Sequence, residues 1–211
     1  FTFLLGGGPV EMILAFLCAG IGNVIRTKLI KHNFTLFLNI AVSISCSCLL
    51  YSILLKLAEI LFHVSALHEA GYICSILFII PGFPFITSGI DLSKLDLRSG
   101  LERLSYSIII VLVATMTAWI MALLLHLQPL NFTSLNLDPI LLLILRLLTS
   151  FCGVFGFSIM FNSPVKMAAI AALMGALSNT LRLELVDLTG MPTTAAAFIG
   201  ALTAGLLASL I

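Results

Sequence analysis

Apolar runs separated by short polar punctuation dominate the chain, and they recur at the length of a membrane-spanning helix. Residues 1–8, FTFLLGGG, read as the tail of a helix ending in glycines. Pro9 then suits the first turn of a new helix, where a missing N–H costs nothing. Apolar periodicity places a first helix over 9–26, a second over 34–55, a fourth over 101–126, a fifth over 139–162, a sixth over 164–183 and a seventh over 193–211. Ser163 and Pro164 read as the N-cap and first residue of the sixth. The third run is different. It starts near Ala70 and meets Pro81-Gly82 after only eleven residues. Eleven residues rise about 17 Å against a hydrocarbon core of about 30 Å. Either that helix begins earlier or it continues past a kink to about Ile90.

These elements give an all-α integral membrane protein of about seven transmembrane helices. Composition agrees: 61% of the 211 residues are hydrophobic and 9% are charged, where soluble domains carry about 25% charge. With a net charge of +1 and no polybasic tail, nothing points to nucleic acid. No signal peptide or initiator Met is evident, so a fragment or processed chain is expected. The five cysteines, Cys18, Cys46, Cys48, Cys74 and Cys152, fall in apolar runs and read as small hydrophobes. Cys46 and Cys48 point to opposite sides of a helix, which argues against a metal pair.

Positive charge orients the helices. The first, third and fifth connections carry seven Lys and Arg, the others two, with Arg146 left inside a span. The odd loops are therefore expected in the cytoplasm. On that count the first helix runs inward and the sixth outward.

An internal repeat fits this reversal. PVEM at 9–12 returns as PVKM at 164–167, and LCAGIGNVIR at 17–26 returns as LMGALSNTLR at 173–182. Inverted repeats build many secondary transporters, with the substrate held near the midplane where they meet. Residues 1–127 then form most of a first repeat and 128–211 the start of a second. On this alignment the counterpart of Pro81-Gly82 falls beyond Ile211, so the chain is expected to be cut short within its second repeat.

FLLGGGPVEMILAFLCAG, the PGFPFITSGIDL…SGLERL block and FGFSIMFNSP together resemble the threonine/serine exporter family, ThrE, over most of the chain. The most specific parts are Pro81, Gly82, Asp91, Gly100 and Arg103, and the segment Phe161 to Pro164. The resemblance implies a fused member of the family, truncated at both ends. It also implies export of threonine and serine, coupled to protons, across the cell (inner) membrane. Split-chain relatives in this family are linked to dicarboxylates, so export of C4 dicarboxylates such as succinate is the alternative.

Polar groups near the break are the first candidates. Pro81 and Gly82 either free the amides of 82–85 for a substrate carboxylate or simply end a helix at the surface. Thr87 and Ser88 either contact the solute or bond the preceding helical turn. Asp91 is the first candidate for proton coupling; otherwise it pairs with Lys94 or Arg98. Arg103 belongs to the same block, and either it or Arg146 would meet the second carboxylate of a dicarboxylate.

Arg146, about 12 Å into the fifth helix, either takes an acidic partner or an anionic solute or snorkels outward. Asn23, Asn179 and Asn162 read as interhelical bonding groups or solute ligands. Glu11 and Lys166, at matching helix starts, read as interfacial charges. Glu59, His63, His68 and Glu69 lack the HExxH spacing and read as a solvated connection, leaving an intramembrane metalloenzyme as a reading of another class. A non-transporting assembly subunit is the other. No cofactor is expected. The expected partners are the bilayer, a small polar amino acid or dicarboxylate, protons, and a second copy in a homo-oligomer.

Overall fold

Pro9 does open a helix. A computed structural model describes residues 1–62, 70–127 and 137–210. In it α1 spans Pro9–Lys31, with Gly8 as its N-cap. Glu11, three residues in, folds back to accept the Gly8 N–H, half of a capping box without the usual hydroxyl. Gly7 leaves room for this: a Cβ there would meet Glu11 Oε2 and Thr2 Cγ2, each at 2.5 Å. Glu11 is consequently only 1% exposed, not the interfacial charge expected of it. The backbone amide draws it inward.

The helices then run longer than their apolar cores. α1 continues five residues past Arg26, with Lys28 and Lys31 in its last turn, where cations suit the negative end of the helix dipole. α2, Leu36–Phe62, carries Lys56 and Glu59 on its final turns, so the connection expected from residue 56 is helix to that point. His63, His68 and Glu69 lie outside the described residues. α5, Leu97–Leu124, starts four residues earlier than its apolar run because Asp96 caps it, accepting the Ser99 N–H at 3.3 Å. Strong helix formers carry each element on until a real stop signal.

Those stops share one geometry. After α1, after α4 (Gly82–Ser93), after α5 and after α6 (Pro139–Met160), a residue in the left-handed region closes the helix: Asn33, Leu95, His126 and Asn162. Each donates its N–H three residues back, and the next residue donates five back. That is the paired bond of a Schellman motif, which satisfies carbonyls the helix end leaves open. The FNSP segment therefore ends α6. Ser163 donates its N–H to Ser158, Pro164 itself is the N-cap, and α7 begins at Val165, correcting the placement of Ser163 as cap. α7 runs to Thr189, six residues past its expected end, and stops at Gly190 with φ 65°.

Among the described residues five helices are long and apolar enough to cross a membrane: α1, α2, α5, α6 and α7. A bent pair, Gly71–Ile79 followed by Gly82–Ser93 at an angle of 56°, has the length and composition of a sixth, as a broken span or a re-entrant loop. The seventh apolar segment, α8 (Thr193–Ala208), has 16 residues and rises about 24 Å, short of the roughly 30 Å core. The first half of the bent pair holds the five-residue helix α3, Ala70–Cys74, and a 3₁₀ turn at Leu77–Ile79. The chain is an all-α multi-pass membrane protein.

Two compact units divide it, Leu4–Thr133 with Thr2, and Ser134–Ile211 with Phe1 and Phe3. In the first, Ile40, Ile44, Cys48, Tyr51 and Leu55 form a buried stripe on α2, spaced three or four apart as a helix face requires. Ala15 and Cys18 of α1, Tyr72, Phe78 and Ile79 of the broken span, and Ile110 of α5 close over it. In the second, Ala168, Ala172 and Ala176 line one face of α7. Small residues let helices approach closely in lipid, where packing rather than water exclusion holds them together. All five cysteines carry free thiols.

Candidate functional site

Where does the backbone of the broken span send its hydrogen bonds? In lipid each freed group needs a partner within the protein. Pro81 has no N–H for the carbonyl of Leu77, which accepts instead from Ile80 at 3.2 Å. Pro84 has none for Ile80, whose carbonyl takes the Gly82 N–H at 2.9 Å. That diverts Gly82 from Phe78, the carbonyl four residues behind it. Arg26 fills the vacancy: its Nη1 donates to the Phe78 carbonyl at 3.0 Å. A guanidinium from α1 thus replaces the bond that the proline pair removed.

Close packing holds the break against its neighbours. A Cβ on Gly22 would meet the Phe78 ring at 2.7 Å and Ser47 Cβ at 3.1 Å. Ser47 Oγ lies within hydrogen-bond reach of two carbonyls, Cys18 at 3.0 Å and Ser75 at 2.8 Å, joining α1, α2 and the broken span. Tyr72 donates its hydroxyl to Ala118 of α5 at 2.7 Å. Gly71 lies against Tyr51, where a Cβ would come within 2.1 Å of the phenolic oxygen.

Beyond the break, the first turn of α4 has few donors to give a carboxylate. Gly82 and Phe85 donate to Ile80 and Pro81, and Pro84 has no N–H. Thr87 and Ser88 bond backward, to Phe83 at 3.1 Å and Phe85 at 2.8 Å, the commoner behaviour of hydroxyls in membrane helices. Further along, Asp91 Oδ2 meets Arg103 Nη1 at 3.2 Å and accepts from Ser99 Oγ at 3.2 Å. The alternative partners, Lys94 and Arg98, are replaced by Arg103; Arg98 pairs with Glu102 at 3.2 Å on the exposed face of α5. Gly100 makes the Asp91–Arg103 contact possible, since a Cβ there would strike Leu92 Cγ at 2.7 Å and push α5 from α4.

In the second unit Arg146 is 14% exposed and pairs with two acids of α7, Glu184 at 2.7 Å and Asp187. It does not snorkel. Asn179 bridges α6 and α7, donating to Ser150 Oγ at 2.8 Å and accepting from Arg182 Nε at 3.1 Å. The backbone carbonyl of Asn23 receives Thr27 Oγ1 at 2.8 Å, and Asn162 is a left-handed helix stop.

Of the sequence candidates, the structure brings Asp91 and Arg103 together and places Pro81 and Gly82 at the break; Arg146, Asn162 and Asn179 stand in the other unit. Arg26, Ser99, Glu184 and Asp187 escaped the sequence reading. Glu184 and Asp187, three residues apart, share a helix face, but ending the helix at residue 183 assigned them to a loop. Among the described residues no group of three or more His, Cys, Asp or Glu is arranged to hold a metal.

Comparison with known families gives two matches. The family described as "Putative threonine/serine exporter" matches residues 1–125, and the one described as "Threonine/Serine exporter, ThrE" matches residues 146–211. No curated protein and no solved structure matches the chain. The first match alone covers more than half of the 211 residues and includes the whole broken span with its supporting helices, so the chain belongs to the threonine/serine exporter family of membrane transporters.

Proposed function

We propose that this protein is a secondary exporter of threonine and serine, driven by protons, working by alternating access in the cell (inner) membrane. The observation that carries the reading is the family match across both stretches of the chain. Residues 1–127 and 128–211 are read as two repeats of opposite topology, supported by the recurring PVEM/PVKM and Asn-x-x-Arg patterns and by the loop charge bias. On that bias the first, third and fifth loops face the cytoplasm.

A broken span suits the task. Its two halves can shift against each other at Pro81-Gly82, a bend already satisfied from outside its own ladder. Asp91 and Arg103 supply a coupling element of ordinary chemistry. Protonation of Asp91 discharges the ion pair and releases α5 from α4; deprotonation restores it. C4 dicarboxylates fit less well, because both arginines available for a second carboxylate already face acids.

Counterflow in proteoliposomes tests the substrate. The full chain, loaded with unlabelled threonine, is expected to accumulate labelled threonine and serine but not succinate. Accumulation of succinate alone, or of none of these, overturns the reading.

Asp91→Asn tests the coupling. With the protein monodisperse in detergent, threonine efflux driven by a pH gradient is expected to fall about tenfold or more, the effect of losing one charge-assisted contact, while counterflow without a gradient persists. An unchanged response to pH removes Asp91 from the coupling role.

A further inference from the structure

Two arginines in the helices of the first unit face acids. Arg103 faces Asp91, and Arg98 faces Glu102. Arg26 differs: among the described residues its hydrogen-bond partner is the neutral Phe78 carbonyl, and no carboxylate lies within ion-pair distance. Its position in α1, five residues before Lys31, would let a free side chain reach toward the headgroups, as Lys and Arg near helix ends commonly do. Instead it turns inward, to a residue that is 7% exposed. A guanidinium carries five donors in a planar fork matched to a carboxylate, and one backbone carbonyl occupies a small part of it.

Beside it stands the complementary group. The Phe78 carbonyl has two lone pairs and no helical donor, because Gly82 has turned to Ile80. A cation and a carbonyl with a second lone pair to offer, side by side at one break, are what a zwitterion requires: an anionic end for the first, an ammonium for the second.

We infer that Arg26 binds the carboxylate of the transported amino acid, with the Phe78 carbonyl receiving its ammonium group. This rests on the proposed transport of threonine and serine and names the residues that recognise the backbone of that substrate. The arriving solute takes both groups in exchange for the Arg26–Phe78 bond and loosens α1 from the break. The chemistry assigned is that of an α-amino acid, and side-chain selectivity lies elsewhere.

Equilibrium binding of labelled L-threonine to the purified full chain tests it, with L-threoninol, which lacks the carboxylate, as competitor. In the native protein threoninol is expected to compete at least about tenfold more weakly than threonine, and Arg26→Gln is expected to weaken threonine by a similar factor while leaving threoninol unchanged, as for loss of a charged hydrogen-bonding partner. Arg26→Lys falls between. Unchanged threonine affinity in Arg26→Gln overturns the assignment, and equal weakening of both ligands also does, since Arg26 then only braces the break. If Arg26→Gln does not remain monodisperse, the native ratio of threonine to threoninol decides, and a ratio near one overturns it.

A phospholipid phosphate would present the same oxyanion. Repeating the binding in phosphatidylcholine nanodiscs with and without phosphatidylglycerol separates the two. Dependence on phosphatidylglycerol that vanishes in Arg26→Gln, with threonine binding intact, gives Arg26 to the lipid and overturns the proposal. Failure of the transport reading is distinguishable. A native protein that binds succinate but no amino acid, and loses it in Arg26→Gln, keeps the carboxylate site and rejects the substrate; one that binds no carboxylate rejects both.

Discussion

Replacing Arg146 with leucine is expected to cost about 1–3 kcal/mol of stability, the consequence of removing the shared partner of a part-buried ion-pair cluster. The cation is 14% exposed and faces two carboxylates from one helix face. Without it, Glu184 and Asp187 are left on one helix face with no cation between them. Thermal unfolding of the purified chain in detergent measures the loss. The acids themselves should differ. Glu184 is 21% exposed and Asp187 48%, so solvent screens the second pair more, and Glu184→Gln should lower the midpoint further than Asp187→Asn. Combining Arg146→Leu with Glu184→Gln should recover part of the single-variant loss, because fewer uncompensated charges remain. An unfolding midpoint unmoved by Arg146→Leu would show that the triad holds nothing together.

Gly22→Ala is expected to be nearly as damaging, for a purely steric reason. The added methyl would sit 2.7 Å from the Phe78 ring and 3.1 Å from Ser47, both in a buried environment with no slack. Overpacking of this kind typically costs about 1–3 kcal/mol. Two effects should appear together: a lower unfolding midpoint, and reduced threonine counterflow, since moving Phe78 draws its carbonyl from Arg26. Phe78→Leu in the same chain makes room. The pair should therefore recover, with a coupling of about 0.5–3 kcal/mol in a double-mutant cycle. Independent, additive losses would falsify the view that α1 and the break are in direct register.

Hydropathy and two prolines carried most of the architecture. The apolar runs became helices, and the one that meets Pro81 after eleven residues became the bent pair, because a residue without an N–H interrupts the ladder whatever surrounds it. Helix ends were harder to read. Leu95 and His126 stop helices in a conformation that favours glycine or asparagine, and neither residue type signals this. The extension of α7 to Thr189 had the largest consequence, since it turned Glu184 and Asp187 from loop acids into the partners of Arg146.

Glu11 shows the same limit from another side. Its position three residues after Gly8 was plain in the sequence, yet its burial against Gly7 and the Gly8 N–H is visible only in the structure.

What the chain's order of residues determined alone is everything local: helical class, membrane residence, the site of the bend and the hydroxyls that bond their own preceding turn. Proximity along the backbone decides those, and it needs no fold. Only the tertiary structure decided the pairings of charge. Arg26 reaches a carbonyl 52 residues away and Arg146 an acid 38 residues away. In a low-dielectric interior each cation must find some partner, but which one depends on the helices that packing brings alongside.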